Sequence, residues 1–401
     1  MPTLSDRPQL TRPLFALLVL LGTTGPLAVD MYLPSFPAMT EEFSSSATGI
    51  QLTLTAFLLG LAAGQIFWGA LSDRRGRSVP LQWGTAVFVL ASVVAALAPT
   101  LTTLIIARAL QGLGGAAGVV ISKAIVADTT RGGQTARIFS LIMTFTGVAP
   151  AVAPLLGSVL AALGGFRAVM WFIAIAGVIM ASGVFWVYKE TLPVDRRSSG
   201  SFISPLLQAL RRKRFVGYMF QSGFSFGTMM AYVSASPFLY QNVIGLSPQG
   251  FALCFGLNSL GLILAGFVSS KLALRVPLRR TVTVALGTLF AAACLMAVLV
   301  QLGVRSLVLA VLIFIMVTSL GFTMGNTTAL ALSEVRTVSG SGSALLGCFQ
   351  FFIGAVATPL VGLSGEDSPL AFSLTALAAA PIACCALVYT AERFHRKSTA
   401  A

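Results

Sequence analysis

The sequence predicts an all-α integral membrane protein with twelve transmembrane helices, and three observations carry that prediction. Of its 401 residues, 56% are hydrophobic and only 9% are charged, against roughly a quarter charged in soluble domains, so a water-facing surface cannot be covered. A mean hydropathy of +0.89 means that apolar residues fill nearly every segment instead of alternating with polar ones. The apolar runs also recur at the length, ~20 residues, that a helix needs to cross a ~30 Å hydrocarbon core.

In chain order the spans fall at 14–34, 50–70, 79–98, 101–123, 137–161, 166–188, 215–240, 248–271, 280–301, 306–330, 342–364 and 369–391. The first run continues without a small-residue cleavage site, so it reads as a span and not as a removable leader. The longest break, 189–214, is Ser-rich and basic, with Lys189, Arg196, Arg197, Arg211, Arg212, Lys213 and Arg214. It reads as a cytoplasmic linker between an N-terminal six-helix half, 1–188, and a C-terminal six-helix half, 215–401, that ends in a short basic tail.

Charge sets the orientation. With the N-terminus inside, 23 of the 26 Lys and Arg residues fall in the inner segments, Arg167 and Arg305 fall outside, and Arg108 lies within a span. Basic residues concentrate on the cytoplasmic side of membrane proteins, so both termini are expected there, in a cell inner membrane. The same distribution accounts for the net charge of +14 without nucleic acid. The outer loops are mildly acidic, with Glu41, Glu42, Glu366 and Asp367.

Other chemistry finds little support. Cys254, Cys294, Cys348, Cys384 and Cys385 all lie in apolar stretches without metal-ligand spacing and read as small core residues. The single histidine, His395, is in the basic tail. There is no phosphate-binding G-x-x-x-x-G-K-[ST] loop, so ATP is not the direct driver. Gly112, Gly114 and Ala117 formally fit a dinucleotide pattern, but they follow an apolar helix rather than a strand. No enzyme machinery, cofactor or metal is expected.

The remaining signals are polar or small residues where lipid would favour neither. The stretch from Tyr32 to Phe36 and the apolar run after it are echoed about 200 residues later by SPFLYQ (Ser236–Gln241), which reads as a weak repeat of the two halves. The loop after the second span is GALSDRRGRSVPLQWG, where Gly69 and Gly76 allow close approach and a tight turn, and Asp73 can accept from a neighbouring Arg. Arg74, Arg75 and Arg77 face the cytoplasmic leaflet. The fourth span holds LIIARALQGLGGAAG, and a buried Arg108 is a functional candidate because an intramembrane charge is costly. The first span holds GPLAVDMYLPSFP, with Asp30 the only carboxylate well inside any span. In low dielectric the neutral carboxylic acid competes with the carboxylate, which makes Asp30 a candidate proton carrier if it is not hydrated at the outer interface. The fifth span, GVAPAVAPLLGSVL, combines Pro150 and Pro154 with Gly147 and Gly157, a bending and tight-packing element.

These motifs resemble those of the major facilitator superfamily, and the D-M-Y-L-P segment, GNTTALAL (Gly325–Leu332) and GSALLGCFQFFIGA (Gly342–Ala355) resemble the Bcr/CflA drug:proton antiporter subfamily. The likeness extends over nearly the whole chain. Ser78 stands where the family's loop signature ends in a basic residue, and Ala153 and Ser158 stand where its antiporter motif has glycines. The resemblance implies a major facilitator fold and a substrate site between the halves near mid-bilayer. It implies that Gly69, Asp73, Arg74, Gly76 and Arg77 form a conformational gate, and that Gly147, Pro150, Pro154 and Gly157 form the antiporter helix. Asp30 and Arg108 are the proton-coupling candidates. Tyr32, Phe36, Gln111, Gln221, Tyr232, Asn258, Asn326, Gln350 and Phe351 are the polar and aromatic candidates for the substrate cavity. The expected function is secondary active export of small amphipathic drugs or antibiotics in exchange for protons, the alternative being export of a native metabolite such as an amino acid or sugar; a membrane receptor or scaffold would need no gradient. The partners expected are a small-molecule substrate, protons and the lipid bilayer, with the chain acting as a monomer.

Overall fold

A computed structural model describes residues 10–130, 133–197, 203–335 and 338–364, together with Leu377. The twelfth predicted span, Glu366, Asp367, Cys384, Cys385 and His395 lie outside these residues. The long elements are α1 (Arg12–Asp30), α3 (Ala47–Arg75), α4 (Ser78–Ala96), α5 (Leu101–Thr129), α6 (Gly133–Trp186), α8 (Lys213–Phe238), α9 (Pro248–Leu272), α10 (Leu278–Gln301), α11 (Leu307–Ser333) and α12 (Ser339–Leu360). Two short helices, α2 (Phe36–Glu42) and α7 (Ile203–Leu210), fall where the sequence suggested only a loop and the linker. Among the described residues nine helices are long and apolar enough to cross a membrane.

Local chemistry explains the boundaries. Thr11, Thr100 and Ser247 each accept a hydrogen bond from a backbone N–H three residues on, satisfying a donor that α1, α5 and α9 would otherwise leave free. α3 and α5 run several residues past the predicted apolar stretches, because helical hydrogen bonding continues after hydropathy falls. α6 holds two predicted spans, which part at Gly164 (φ −164°, ψ 32°) and Gly165 (φ 62°, ψ −162°), two residues that leave helical geometry. Pro150 and Pro154 lie inside its first part. α8 is the more polar exception, with Gln221, Ser222, Ser225, Thr228, Ser234 and Ser236 all buried inside protein.

The described chain forms two compact units, one within 1–32 and 56–200 and the other within 33–55 and 201–401. In the first, α4 packs on α5 and α6, and α1 packs on α5 and α6. Small residues set these crossings, as expected where lipid supplies no driving force for helix association and backbones must approach closely. A methyl group on Gly112 of α5 would overlap the Phe57 carbonyl of α3, and one on Gly114 would meet the Phe88 backbone of α4. The Trp68 indole N–H donates to the Leu113 carbonyl at 2.7 Å across the same seam.

In the second unit α8 packs on α12 and α11, and α11 packs on α9 and α10. Phe215, Tyr218, Met219, Val282, Leu286 and Leu346 form one of its apolar cores, joined by Ala209 of α7. The segment 33–55 is fastened by polar contacts: Gln51 Nε2 donates to the Ser234 carbonyl at 3.3 Å, and Gln241 Nε2 to the Pro34 carbonyl at 3.3 Å.

Gly112→Ala is expected to destabilise the protein by about 1–3 kcal/mol, because backbone on the facing helix must shift. Gly266→Ala on α9, where a methyl group would meet nothing within 4 Å, should be neutral or add up to about 1 kcal/mol through helix propensity. Thermal unfolding of the two variants in one detergent checks the pair, and equal effects would mean the α3–α5 approach is not limiting.

Candidate functional site

Arg108, the eighth residue of α5, is fully buried. Its guanidinium carbon lies 4.4 Å from the Tyr32 ring centroid and 4.3 Å from that of Phe57, so two aromatic faces sandwich the cation. One terminal nitrogen donates to Gln111 Oε1, and the other donates to the Ala28 carbonyl at 2.7 Å. Gln111 Nε2 in turn donates to Ser92 Oγ at 2.7 Å, and Ser92 Oγ donates to the Phe88 carbonyl at 2.6 Å. The helical spacing from Arg108 to Gln111 puts both on one face, and the chain links α1, α3, α4 and α5 through one charge.

Magnitudes explain why the charge persists without a carboxylate. An Arg at mid-bilayer costs about 3 kcal/mol on insertion scales. Two desolvated cation–π contacts contribute about 2 kcal/mol each, and hydrogen bonds to a charged group about 1.5–3 each, which more than offsets that cost. The Nε of Arg108 has no partner.

Asp30 closes α1 and is only 5% exposed, so it is not a hydrated residue beyond the helix end. Among the described residues it makes no hydrogen bond or ion pair, and Arg108 is not its partner. The structure thus brings Arg108 together with Tyr32 and Gln111, two residues expected in the cavity, and leaves Asp30 unpaired beside that cluster in sequence. Gly157 of α6 lies flush on α1, where a methyl group would overlap the Met31 carbonyl. Pro154 is buried, while Gly147 and Pro150 are half-buried.

The loop between α3 and α4 is a second site in the same unit. Arg77, 7% exposed, pairs through Nη1 with Asp73 and donates from Nε to Asp128 Oδ2 at 3.1 Å and from Nη1 to Ser72 Oγ at 3.0 Å. Glu190 accepts from the backbone N–H of Arg77 (2.9 Å) and Ser78 (3.0 Å), and from those of Thr191 and Leu192. Burial would raise the Glu190 carboxyl, but the Leu192, Ser78, Arg77 and Thr191 N–H groups outweigh it and hold it below the ordinary 4.5. Burial likewise works against the Arg77 charge, and Asp73 and Asp128 more than restore it. Gly76 turns at φ 91°, and its Cα faces the Glu190 carboxylate and the Arg197 guanidinium, so no side chain fits. Gly69 faces Val120 of α5, while Arg74 is exposed at the end of α3. Sequence reasoning missed Asp128 and Glu190. The available signal was scarcity: with 12 carboxylates in the chain, two beside basic segments call for a reason.

The expected cavity residues of the second unit divide by environment. Asn258 Nδ2 donates to the hydroxyls of Tyr232 and Tyr240, each at 2.9 Å, and Tyr232 stacks on Phe255 at 5.4 Å. Asn326 donates to Ser269 Oγ at 2.8 Å and to the Phe322 carbonyl at 2.9 Å, which ties α11 to α9. Phe36 lies 6.1 Å from Phe238, and Phe351 lies 5.3 Å from Phe226. Gln350 donates to Ser222 at 2.6 Å. Gln221 donates to Ser225 at 3.2 Å and keeps a buried Oε1 without a partner.

Residues 18–359 match the family model described as Major Facilitator Superfamily. The chain belongs to the major facilitator superfamily. It is therefore a multi-pass membrane transporter with the major facilitator fold, and not an enzyme. It is 36% identical over 353 residues to the "uncharacterized MFS-type transporter YdgK" of Bacillus subtilis, covering 87% of this chain and 88% of that one. It is 29% identical over 364 residues to the "bicyclomycin resistance protein homolog" of Haemophilus influenzae, covering 89% and 91%. Its fold matches that of a peptide transporter solved in complex with sulfate, with a TM-score of 0.75 at 16% identity, over 98% of each chain.

Arg108→Lys should keep the charge but lose the fork that reaches Gln111 and Ala28, lowering thermal stability by about 2 kcal/mol, whereas Arg108→Ala, which leaves the packed aromatic faces and acceptors unmatched, should cost more. Unfolding in detergent distinguishes them, and an unperturbed Arg108→Ala would remove Arg108 from its organising role.

Glu190 gives a pH prediction. Its carboxyl is held below the unfolded value, so its stabilisation is full above that value and disappears as pH falls through the folded one. Stability should therefore drop between about pH 5 and about pH 3. Glu190→Ala should start lower at neutral pH and lose less over the same window; parallel curves would exclude Glu190 as a contributor.

Proposed function

We propose that this transporter exports small amphipathic drugs or antibiotics in exchange for protons, with Asp30 as the exchangeable group. The observation that carries the reading is a carboxyl buried at the end of α1 with no cation paired to it, in a unit whose fully buried cation, Arg108, is satisfied instead by two aromatic faces, Gln111 and the Ala28 carbonyl. Arg108 is always protonated, so the proton can be exchanged only at the carboxyl. The printed name of the Haemophilus influenzae relative supports a drug substrate.

In this reading the membrane is the cell inner membrane and both termini are cytoplasmic, on the strength of the basic segments. The halves are 1–188 and 215–401, joined by 189–214, and the chain works as a monomer. Gln221, with its unpartnered Oε1, is the substrate-binding candidate whose hydrogen bonding is least complete, together with the half-buried Gln350 and Phe351. The Arg77 cluster with Asp73 acts as the conformational latch, now extended to Asp128 and Glu190.

The test uses proteoliposomes with an imposed pH step and bicyclomycin or a lipophilic cationic dye as cargo. Uphill accumulation and proton counterflow should both vanish in Asp30→Asn, while downhill exchange of cargo persists. An Asp30→Asn protein that still builds a cargo gradient would place coupling at another group.

A further inference from the structure

α9, α10 and α11 leave a cavity of about 610 Å³ on the second unit that the transport reading does not use. α10 contributes Arg280, Thr281, Val284 and Thr288, one face of the helix, and α11 contributes Phe314, Thr318 and Phe322, also one face. Val284 is 63% exposed and Phe314 40% exposed, so the groove opens on the apolar exterior of the protein, which in a membrane transporter faces lipid. From Arg280 to Thr288 it extends about 12 Å along the axis at 1.5 Å per residue. That is close to the depth of one leaflet, about half of a ~30 Å hydrocarbon core.

One end of the groove is strongly basic. Lys271, Arg275, Arg279 and Arg280 lie there, while no Asp or Glu occurs anywhere from 196 to 333. Among the described residues the Arg280 side chain has no hydrogen bond or ion pair. Two further features at this end suit an anion. The N-terminus of α10 has no side-chain cap, so no side chain there offsets the positive end of its dipole, while the Arg280 and Thr281 N–H groups donate to the Pro277 carbonyl. Thr281, in its first turn and 7% exposed, lines the cavity with an Oγ1 that lacks a partner.

We propose that this groove holds an anionic phospholipid, one acyl chain lying between α10 and α11 and the phosphate resting against Arg280, the Thr281 hydroxyl and the N-terminus of α10. Basic pockets between helices at the membrane surface select anionic headgroups, and the apolar wall adds a favourable contribution for each methylene of the acyl chain that it buries. A zwitterionic lipid would fill the apolar part but bring its own cation to Arg280. A second transmembrane helix would need a contact longer than one leaflet.

The experiment is native mass spectrometry of the full-length protein from detergent, titrated with phosphatidylglycerol and with phosphatidylcholine of the same acyl chains. Wild type should bind phosphatidylglycerol about tenfold more tightly; Arg280→Ala should bring the two lipids level, and Arg280→Lys should keep most of the preference. Thr288→Trp, which fills the groove, should weaken both lipids alike, and Arg305→Ala, outside the groove, should change neither. The proposal is overturned by equal affinities in wild type, by an unchanged preference in Arg280→Ala, by glycerophosphate without chains binding as tightly as the lipid, or by a dimer in place of lipid adducts.

Discussion

The first unit depends on keeping one guanidinium charged inside a membrane. Arg108 does not solve this with an opposite charge. It lies between the faces of Tyr32 and Phe57 and donates to a helix carbonyl and to Gln111. Each of those partners belongs to, or is held by, a different helix, so the solvation of one ion fixes the mutual positions of α1, α3, α4 and α5. The glycine seams make this possible: α3 and α5 must touch at backbone distance at Gly112 for Phe57 to reach the guanidinium plane.

This arrangement frees Asp30. A carboxylate bound to Arg108 would be held ionised and could not exchange a proton easily. Because the cation is satisfied elsewhere, the buried carboxyl is left for the proton exchange proposed above, while the guanidinium joins the helices. The loop at Arg77 works the opposite way. There the guanidinium takes two carboxylates, Asp73 and Asp128, and a third, Glu190, binds the backbone N–H groups at the start of α4. Near the membrane surface paired charges and helix-end capping supply the order that aromatic faces supply in the interior.

Much of the fold was legible in the sequence because the bilayer imposes a coarse rule, about 20 apolar residues per crossing. Eleven of the twelve predicted spans coincide with described helix, including the pair that parts at Gly164 and Gly165. The polar helix α8 was legible too, from its length and its aromatic and methionine content, although Gln221 and its serines keep it out of the helices apolar enough to cross a membrane by composition. The short helices α2 and α7 were not, for neither has the length or hydropathy that the rule detects. Among site residues Asp30, Asp73, Arg77 and Arg108 were visible as charges in or beside apolar stretches. Asp128 and Glu190 were not, because a carboxylate near a basic segment looks like surface until its partners are known.

The sequence by itself determined the class of solvent, the place of eleven helical spans, the family motifs and the few ionisable groups that lipid would not tolerate without reason. It could do so because those properties are read one residue or one 20-residue window at a time. Which of those groups meet was decided only in three dimensions. Tyr32 and Gln111, polar or aromatic candidates for ligand contact on their own merits, close around Arg108. Asn326 ties α11 to α9, and Asp30 remains without an ion-pair partner among the described residues. Pairing depends on helix rotation and crossing distance, which are set by small residues on facing helices and have no signature in either helix taken alone.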